Sequence, residues 1–545
     1  MSFAHDLAAA ANVSVSSAYS TGLASVLHGQ STERPLHAAV VFDGITYSYG
    51  DIHSRAQKFA AELRSAGVGK GDRAGLLLPN SPDFIAAFFA ITGIGATVVP
   101  INPLLRSEEI EHILADSSAK TLIVHELNWH EAERAAKQLP ELGNVFIVSR
   151  IETAPKNIAA THSSASSGGP KIHVLVSEHL AQQGRLHSHV KWEPVTDPAS
   201  DLAVLVYTSG TTGKPKGAML THTSLMSTVE MFHNMVPITS NDRFLVVLPL
   251  CHIYGMAILV LGVLAKGATL VMLEKFDPQA ALQLIEKEKI TIVPAVPAMY
   301  QFMLMALDKV KADLSTLRLF ISGAAPLPVT LCRQIGERFG VTVIEGYGLT
   351  ETSSVVSVTP IGKTRPGSAG VAVPPVQLAI VDGAGNNLPR GSEFVGEITV
   401  KGPNVMLGYF GKPEATQECL KDGWLSTGDL GYVDEDGYLF IVGRSKELII
   451  RGGQNIYPRE IEDAIVRMPQ VAEVAVVGVP DQFMGERVKA VVVLRSGCLL
   501  TEDEVKAFCI EHLAEYKVPR LVEFIPVLPR NSTGKVLKRM LIEST

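Results

Sequence analysis

The chain has 545 residues, too many for one ordinary core, so two or more domains are expected. Hydrophobic residues make up 46% and charged residues 19%, which fits a soluble globular enzyme with a large buried core. A formal net charge of -7 and the lack of a long basic run argue against nucleic acid as the main partner.

In chain order, the opening MSFAHDLAAAANVS has no basic residue before its alanines and makes a poor signal peptide. Asp43-Gly44, between VVF and ITYSY, signals a hairpin, and a helical pattern follows from Asp51 to Ala66. A strand–helix–strand unit comes next: AGLLL, then Ser81 as N-cap and Pro82 as first helical residue, then GATVVPIN. Residues 159–170, AATHSSASSGGP, are small and polar and predict a surface loop. A second unit of the same kind runs FLVVLP, an apolar helix near Tyr254 to Ala265, then GATLVML. The repeated Gly-Ala-Thr joint predicts two related α/β subdomains with mostly parallel sheets. The apolar run Met256 to Leu273 is interrupted by Lys266 and two glycines, so it predicts a buried helix and a strand, with no transmembrane segment.

Between Ser368 and Lys401 the chain is β-rich with Gly/Pro/Asn turns, as in a small barrel. Beyond Gly443 the pattern predicts a compact α+β unit. It contains a helix opened by Pro458, strands VAEVAVVGV and VKAVVVLR, a helix capped by Thr501 and Glu504 and reaching about Tyr516, and a strand VEFIPVLP. The domains are therefore expected at 1–443 and 444–545. Five cysteines are scattered without a C-x-x-C pair, which predicts reduced thiols in a cytoplasmic protein. The closing IEST is no peroxisomal address.

The stretch YTSGTTGKPKG, Tyr207 to Gly217, directly follows the apolar run LAVLV. Glycines let backbone N–H groups approach an anion, hydroxyls donate further bonds, and lysine adds charge, so the loop predicts phosphate binding. It is no P-loop: counting from Gly210, the position that must be glycine is Pro215.

Three more motifs follow in order: GYGLTE (Gly346 to Glu351), STGDLGYVDEDGYLFIVGRSKELI (Ser426 to Ile449) and PRNSTGK (Pro529 to Lys535). Together with the first, they make the chain resemble the adenylate-forming superfamily of acyl-CoA synthetases, luciferases and peptide-synthetase adenylation domains, over nearly its whole length. The resemblance implies two steps. A small-molecule carboxylic acid attacks the α-phosphate of ATP to give acyl-adenylate and pyrophosphate, and a thiol, usually that of coenzyme A, then displaces AMP.

The resemblance also implies roles. Thr208, Ser209, Gly210, Thr211, Thr212, Gly213 and Lys216 would close over the departing phosphates. In Gly346-Tyr347-Gly348-Leu349-Thr350-Glu351, the tyrosine would pack on adenine, the threonine contact the α-phosphate and the glutamate hold Mg²⁺. Asp429 would accept hydrogen bonds from the ribose hydroxyls, and Arg444 would bind ribose or phosphate. Lys446 would be the hinge about which a mobile C-terminal domain rotates between the two steps. Gly452 and Gly453 would then line the pantetheine tunnel, and Lys535 would bridge the carboxylate and the α-phosphate during adenylation. The segment RGGQNIYP is closer to bacterial fatty acyl-CoA ligases than to plant coumarate ligases, which resemble the chain elsewhere.

LPLCHIYGM, Leu248 to Met256, should border the acyl pocket. It lacks the aspartate that meets an amino group in amino-acid-activating relatives. His252 would lie beside the carboxylate, with Tyr254, Ser322, Gly323, Ala324, Val355 and Val356 as wall. These uncharged residues suit an alkyl or aryl acid. A medium- or long-chain fatty acid is expected, with a hydroxycinnamate-type acid as alternative. An acyl carrier protein in place of coenzyme A stays open, as does the oligomeric state.

Overall fold

The computed structural model describes residues 22–150, 169–177, 190–193, 197–208, 214–452, 454–530 and 536–542. The surface loop expected at 159–170 therefore lies almost wholly outside the described residues, as do Ser209, Gly210, Thr211, Thr212, Gly213, Gly453 and Lys535.

The described residues form four sheets. In the first, seven strands run in the order Lys171–Val176, Asn144–Ser149, Thr121–His125, Arg73–Leu77, Thr97–Pro100, Leu202–Thr208 and Lys216–Thr221. All pairs are parallel except the last, which turns back antiparallel across the glycine-rich stretch. The second sheet has nine strands. Its parallel centre runs from Thr342–Tyr347 through Leu319–Ser322, Ile292–Ala295, Arg243–Val246 and Thr269–Met272 to Ala38–Phe42. The two expected α/β units are thus present, with one addition from topology. The hairpin turned by Asp43 and Gly44, whose φ values of 51° and 76° suit a type I′ turn, extends the second sheet although it precedes the first in the chain.

Two helices explain how the sheets share a core. Pro82–Gly93 is buried at every residue and is capped by Ser81, whose hydroxyl accepts from the Phe84 amide. Its apolar side chains pack in the same cluster as residues from both sheets, so it needs no polar face. Tyr254–Val263 is the second, wound as a π-helix. The apolar run that contains it breaks into this helix and the strand Thr269–Met272, as expected, and no helix among the described residues is long and apolar enough to cross a membrane.

The β-rich stretch is a five-stranded antiparallel sheet that runs past Lys401 to Arg444, taking in Trp424–Val433 and Leu439–Arg444. The last unit is also five-stranded, with Pro458–Ile465 and Glu502–His512 packed on it. The capping box of Thr501 and Glu504 is formed, and the turn Glu515–Lys517 follows as a separate 3-10 turn.

Candidate active site

Parallel strands aim their carboxyl ends at one crevice, where α/β sheets bind ligands. Here Thr208 ends a strand of the first sheet, and Ser322 and Tyr347 end strands of the second. Between them opens a cleft of about 1800 Å³, lined among others by Thr208, Lys216, His252, Tyr254, Gly323, Thr350, Glu351 and Val355. Ser322, Ala324, Gly346, Tyr347, Gly348, Arg444 and Lys446 border it as well. Val356 does not share the wall. It is fully buried in the core, and Val355 and Val358 line the cleft instead.

Glu351 sits on the short turn Thr350–Thr352. Its Oε1 accepts from the Tyr409 hydroxyl at 2.8 Å and from the Thr208 hydroxyl at 3.5 Å. Its Oε2 has no hydrogen-bond partner among the described residues. A carboxylate with one oxygen tied back and one presented to a cleft fits Mg²⁺, which takes one or two carboxylates and completes its shell with phosphate oxygens and water. Lys216 places its Nζ 5.4 Å from the centre of the Tyr409 ring. Gly348 lies where a Cβ would stand 1.8 Å from the Ser354 carbonyl oxygen, so only glycine fits there.

A second cavity, of about 370 Å³, adjoins the cleft and is lined by Ala324, Glu345, Tyr347, Asp429 and Arg444. Asp429 and Arg444 face each other across antiparallel strands, and the Arg444 Nε lies 2.9 Å from Asp429 Oδ1. The Tyr347 hydroxyl donates to the other oxygen at 2.7 Å. Burial, then the Asp429 charge, holds the Tyr347 phenol well above its ordinary value, so it stays a donor. Burial works against the Arg444 charge, but Asp429 and Glu447 outweigh it and raise its pKa.

Glu345 was not singled out by the sequence reading, although it adjoins GYGLTE. Burial pushes its carboxyl up to about 7, against the opposing pull of Arg459. It accepts a bond from the Leu327 amide at 3.3 Å.

On the acyl side, the His252 Nε2 lies 3.3 Å from the Asn102 amide nitrogen, and burial lowers the imidazole pKa to about 4. His252 is therefore neutral at pH 7. Tyr254 donates to the Ile321 carbonyl at 2.8 Å, and its ring lies 3.1 Å from where a Cβ on Gly323 would be. The Ser322 hydroxyl is buried without a hydrogen-bond partner among the described residues.

The last unit turns a particular face to the cleft. Val536 to Met540 and Ile542 line it, whereas Gly452 sits elsewhere, against Met484, and its amide donates to the Met484 carbonyl at 2.8 Å. Lys538 lies 3.1 Å from Glu447 and 2.9 Å from Glu462. Arg459 donates to the Ile441 carbonyl at 2.9 Å, across the expected boundary.

Comparison with known proteins agrees with this geometry. The family of AMP-binding enzymes matches residues 27–410, and the C-terminal domain of AMP-binding enzymes matches residues 460–535. A long-chain-fatty-acid–CoA ligase of Bacillus subtilis (strain 168) is 38% identical over 533 residues, covering 96% of this chain and 94% of the relative. A feruloyl-CoA synthase of an Amycolatopsis species is 38% identical over 506 residues, covering 92% and 95%. Among solved structures, ATP-bound MatB from Rhodopseudomonas palustris superposes with a TM-score of 0.83 at 32% identity, covering 96% of this chain and 99% of that one.

Proposed function

The chain belongs to the AMP-binding enzyme family and is an AMP-forming acid–thiol ligase, and on that premise we propose that its acid is a medium- or long-chain fatty acid, activated by ATP and transferred to coenzyme A. The observation that supports the acid class is that the cleft lining includes the apolar side chains of Phe232, Val236, Leu248, Ile258, Val296 and Ile321. An alkyl chain gains about 25 cal/mol for each Å² it buries on such a surface. A phenolic hydroxyl would lose its water there, at roughly 1–3 kcal/mol unless it reached a partner such as the Ser322 hydroxyl. The Tyr254 hydroxyl on the same wall already donates to Ile321.

In the first step a carboxylate oxygen of the acid attacks the α-phosphorus of ATP, and the bond to the bridging oxygen of pyrophosphate breaks. The loop from Thr208 to Lys216 receives the departing pyrophosphate with hydroxyls, amides and one ammonium. The Glu351 carboxylate would hold Mg²⁺, which when bound would supply positive charge against the phosphates. The Thr350 hydroxyl bonds the α-phosphate. Asp429, with its charge fixed by Arg444 and Tyr347, accepts from the ribose hydroxyls. Neutral His252 meets the carboxylate without adding charge, and Lys535 bridges the two repelling anions. In the second step the thiol of coenzyme A attacks the acyl carbon and AMP leaves.

Residues 444–545 would form the mobile domain, hinged at Lys446. The presence of Val536 to Met540 at the cleft, with Gly452 turned away, supports assigning the observed arrangement to the adenylation step. Rotation would exchange Lys535 for Gly452 and Gly453.

The similarity to a feruloyl-CoA synthase, as high as that to the fatty acid ligase, favours an aryl acid as the second reading. The test is a panel of alkyl and hydroxycinnamic acids with ATP and Mg²⁺, with and without coenzyme A, read by mass spectrometry. Acyl-CoA and AMP from C8–C18 acids are expected. Turnover confined to hydroxycinnamates would refute the fatty acid reading, and an acyl-adenylate that persists with coenzyme A would refute the acceptor in favour of a carrier protein.

A further inference from the structure

Tyr409 lies outside all four motifs, yet it touches two of them. The segment that holds it, Asn404 to Lys412, clasps the cleft from one side. The Asn404 amide donates to the Thr352 and Val355 carbonyls at 3.1 and 2.6 Å, and the Met406 amide donates to the Glu351 carbonyl at 2.9 Å. Its next residues pair antiparallel with the strand that leaves the phosphate loop: Met219 to Gly408 at 2.9 Å, Leu407 to Met219 at 3.0 Å and Phe410 to Gly217 at 2.8 Å. The Lys412 ammonium reaches Asp116 at 2.8 Å, and the same carboxylate accepts from the Tyr207 hydroxyl at 2.9 Å. The backbone of Tyr409 is thereby fixed against both the strand Lys216–Thr221 and the turn that bears Glu351.

From this fixed position the hydroxyl donates to Glu351 Oε1 at 2.8 Å, while the ring face lies under the Lys216 ammonium. We propose that Tyr409 is a positioning residue that holds the Glu351 carboxylate in a one-oxygen presentation toward the cleft and ties it to the phosphate-loop lysine. The proposal rests on the reading of Glu351 as the Mg²⁺ ligand. Mg²⁺ demands near-ideal octahedral geometry, so a carboxylate free to swing about its terminal torsion is a poorer ligand than one held at Oε1.

The test compares wild type, Tyr409→Phe and Glu351→Gln by calorimetric titration with ATP, once with Mg²⁺ and once with EDTA. Pyrophosphate exchange is followed against Mg²⁺ concentration in parallel. Removing one hydrogen bond to a charged group while keeping the ring should weaken ATP binding in Mg²⁺ roughly tenfold, leave binding in EDTA unchanged, and move half-saturation by Mg²⁺ upward by a similar factor. Equal loss with Mg²⁺ and with EDTA would reduce Tyr409 to a packing residue, and no loss in either would overturn the proposal outright. If Glu351→Gln leaves the Mg²⁺ dependence intact, the assignment of Glu351 itself fails, which separates that failure from one at Tyr409.

Discussion

Glu345 stores a pH dependence that its replacement by glutamine should reveal. Its carboxyl rises from 4.5 to about 7, with burial as the first cause, Arg459 opposing, and Asp463 adding to the rise. In the unfolded chain it titrates near the ordinary value. The native state therefore binds more protons than the unfolded state between these two pKa values, and stability falls as pH rises through that window. The whole rise corresponds to about 3 kcal/mol, fully expressed above pH 7 and absent below pH 4.5. Glutamine keeps the shape and the acceptor for the Leu327 amide but carries no charge. Thermal unfolding of Glu345→Gln and wild type, measured from pH 4.5 to 8.5, should give coincident midpoints at the acid end. The variant should be increasingly the more stable of the two toward pH 8. A constant difference across the range, or a variant less stable at pH 8, would refute the assignment of a buried, proton-holding carboxyl at this position.

Three other substitutions probe the site directly. Gly348→Ala should cost at least about 1–3 kcal/mol of stability, as for an overpacked core, because its Cβ meets the Ser354 carbonyl at 1.8 Å; an unchanged denaturation midpoint would contradict it. Asp429→Ala leaves Arg444 and the Tyr347 hydroxyl without their shared partner, and should weaken binding of AMP and ATP alike by roughly 10- to 100-fold; calorimetry showing equal affinities would remove Asp429 from the ribose site. Lys535→Ala should abolish adenylate formation while thioester formation from pre-made acyl-adenylate survives, and equal loss of both half-reactions would overturn the role proposed for it.

Much of the site was legible because its chemistry is local. The Asp43-Gly44 hairpin, the Ser81 cap and the Thr501–Glu504 box each depend on residues a few positions apart, and each formed. The stretch YTSGTTGKPKG and GYGLTE are likewise contiguous, and strand ends bring Thr208, Lys216 and residues 346–351 to one cleft. What stayed illegible is long-range. Ala38–Phe42 joins a strand 230 positions away in register rather than the sheet that follows it, since Val40 stands beside Leu270 and Val41 and Phe42 keep the same step. Hydrophobic pattern names a strand but not its neighbour. Tyr409 escaped for the same reason: its partner Glu351 is 58 residues earlier, and a tyrosine in LGYFGKPEAT has no periodicity that points at a carboxylate.

The C-terminal unit takes this argument one step further. The sequence suggested a hinge at Lys446 and a mobile lysine at 535, two local features with no stated connection. Lys538 supplies one, since its ammonium reaches Glu447, next to the hinge, and Glu462, on the helix Pro458–Ile465. Burial disfavours the Lys538 charge, but Glu462 and Glu447 outweigh it and raise its pKa, so Lys538 keeps its charge beside them. The contacts tie Lys538 to the turn Ser445–Glu447, which holds Lys446, and to the helix Pro458–Ile465. All three charged groups lie within residues 444–545, so in the proposed rotation about Lys446 they would turn together and keep the tail on the unit that carries it. The segment that follows Lys535 in the chain is therefore joined through one side chain to the residue next to the proposed hinge.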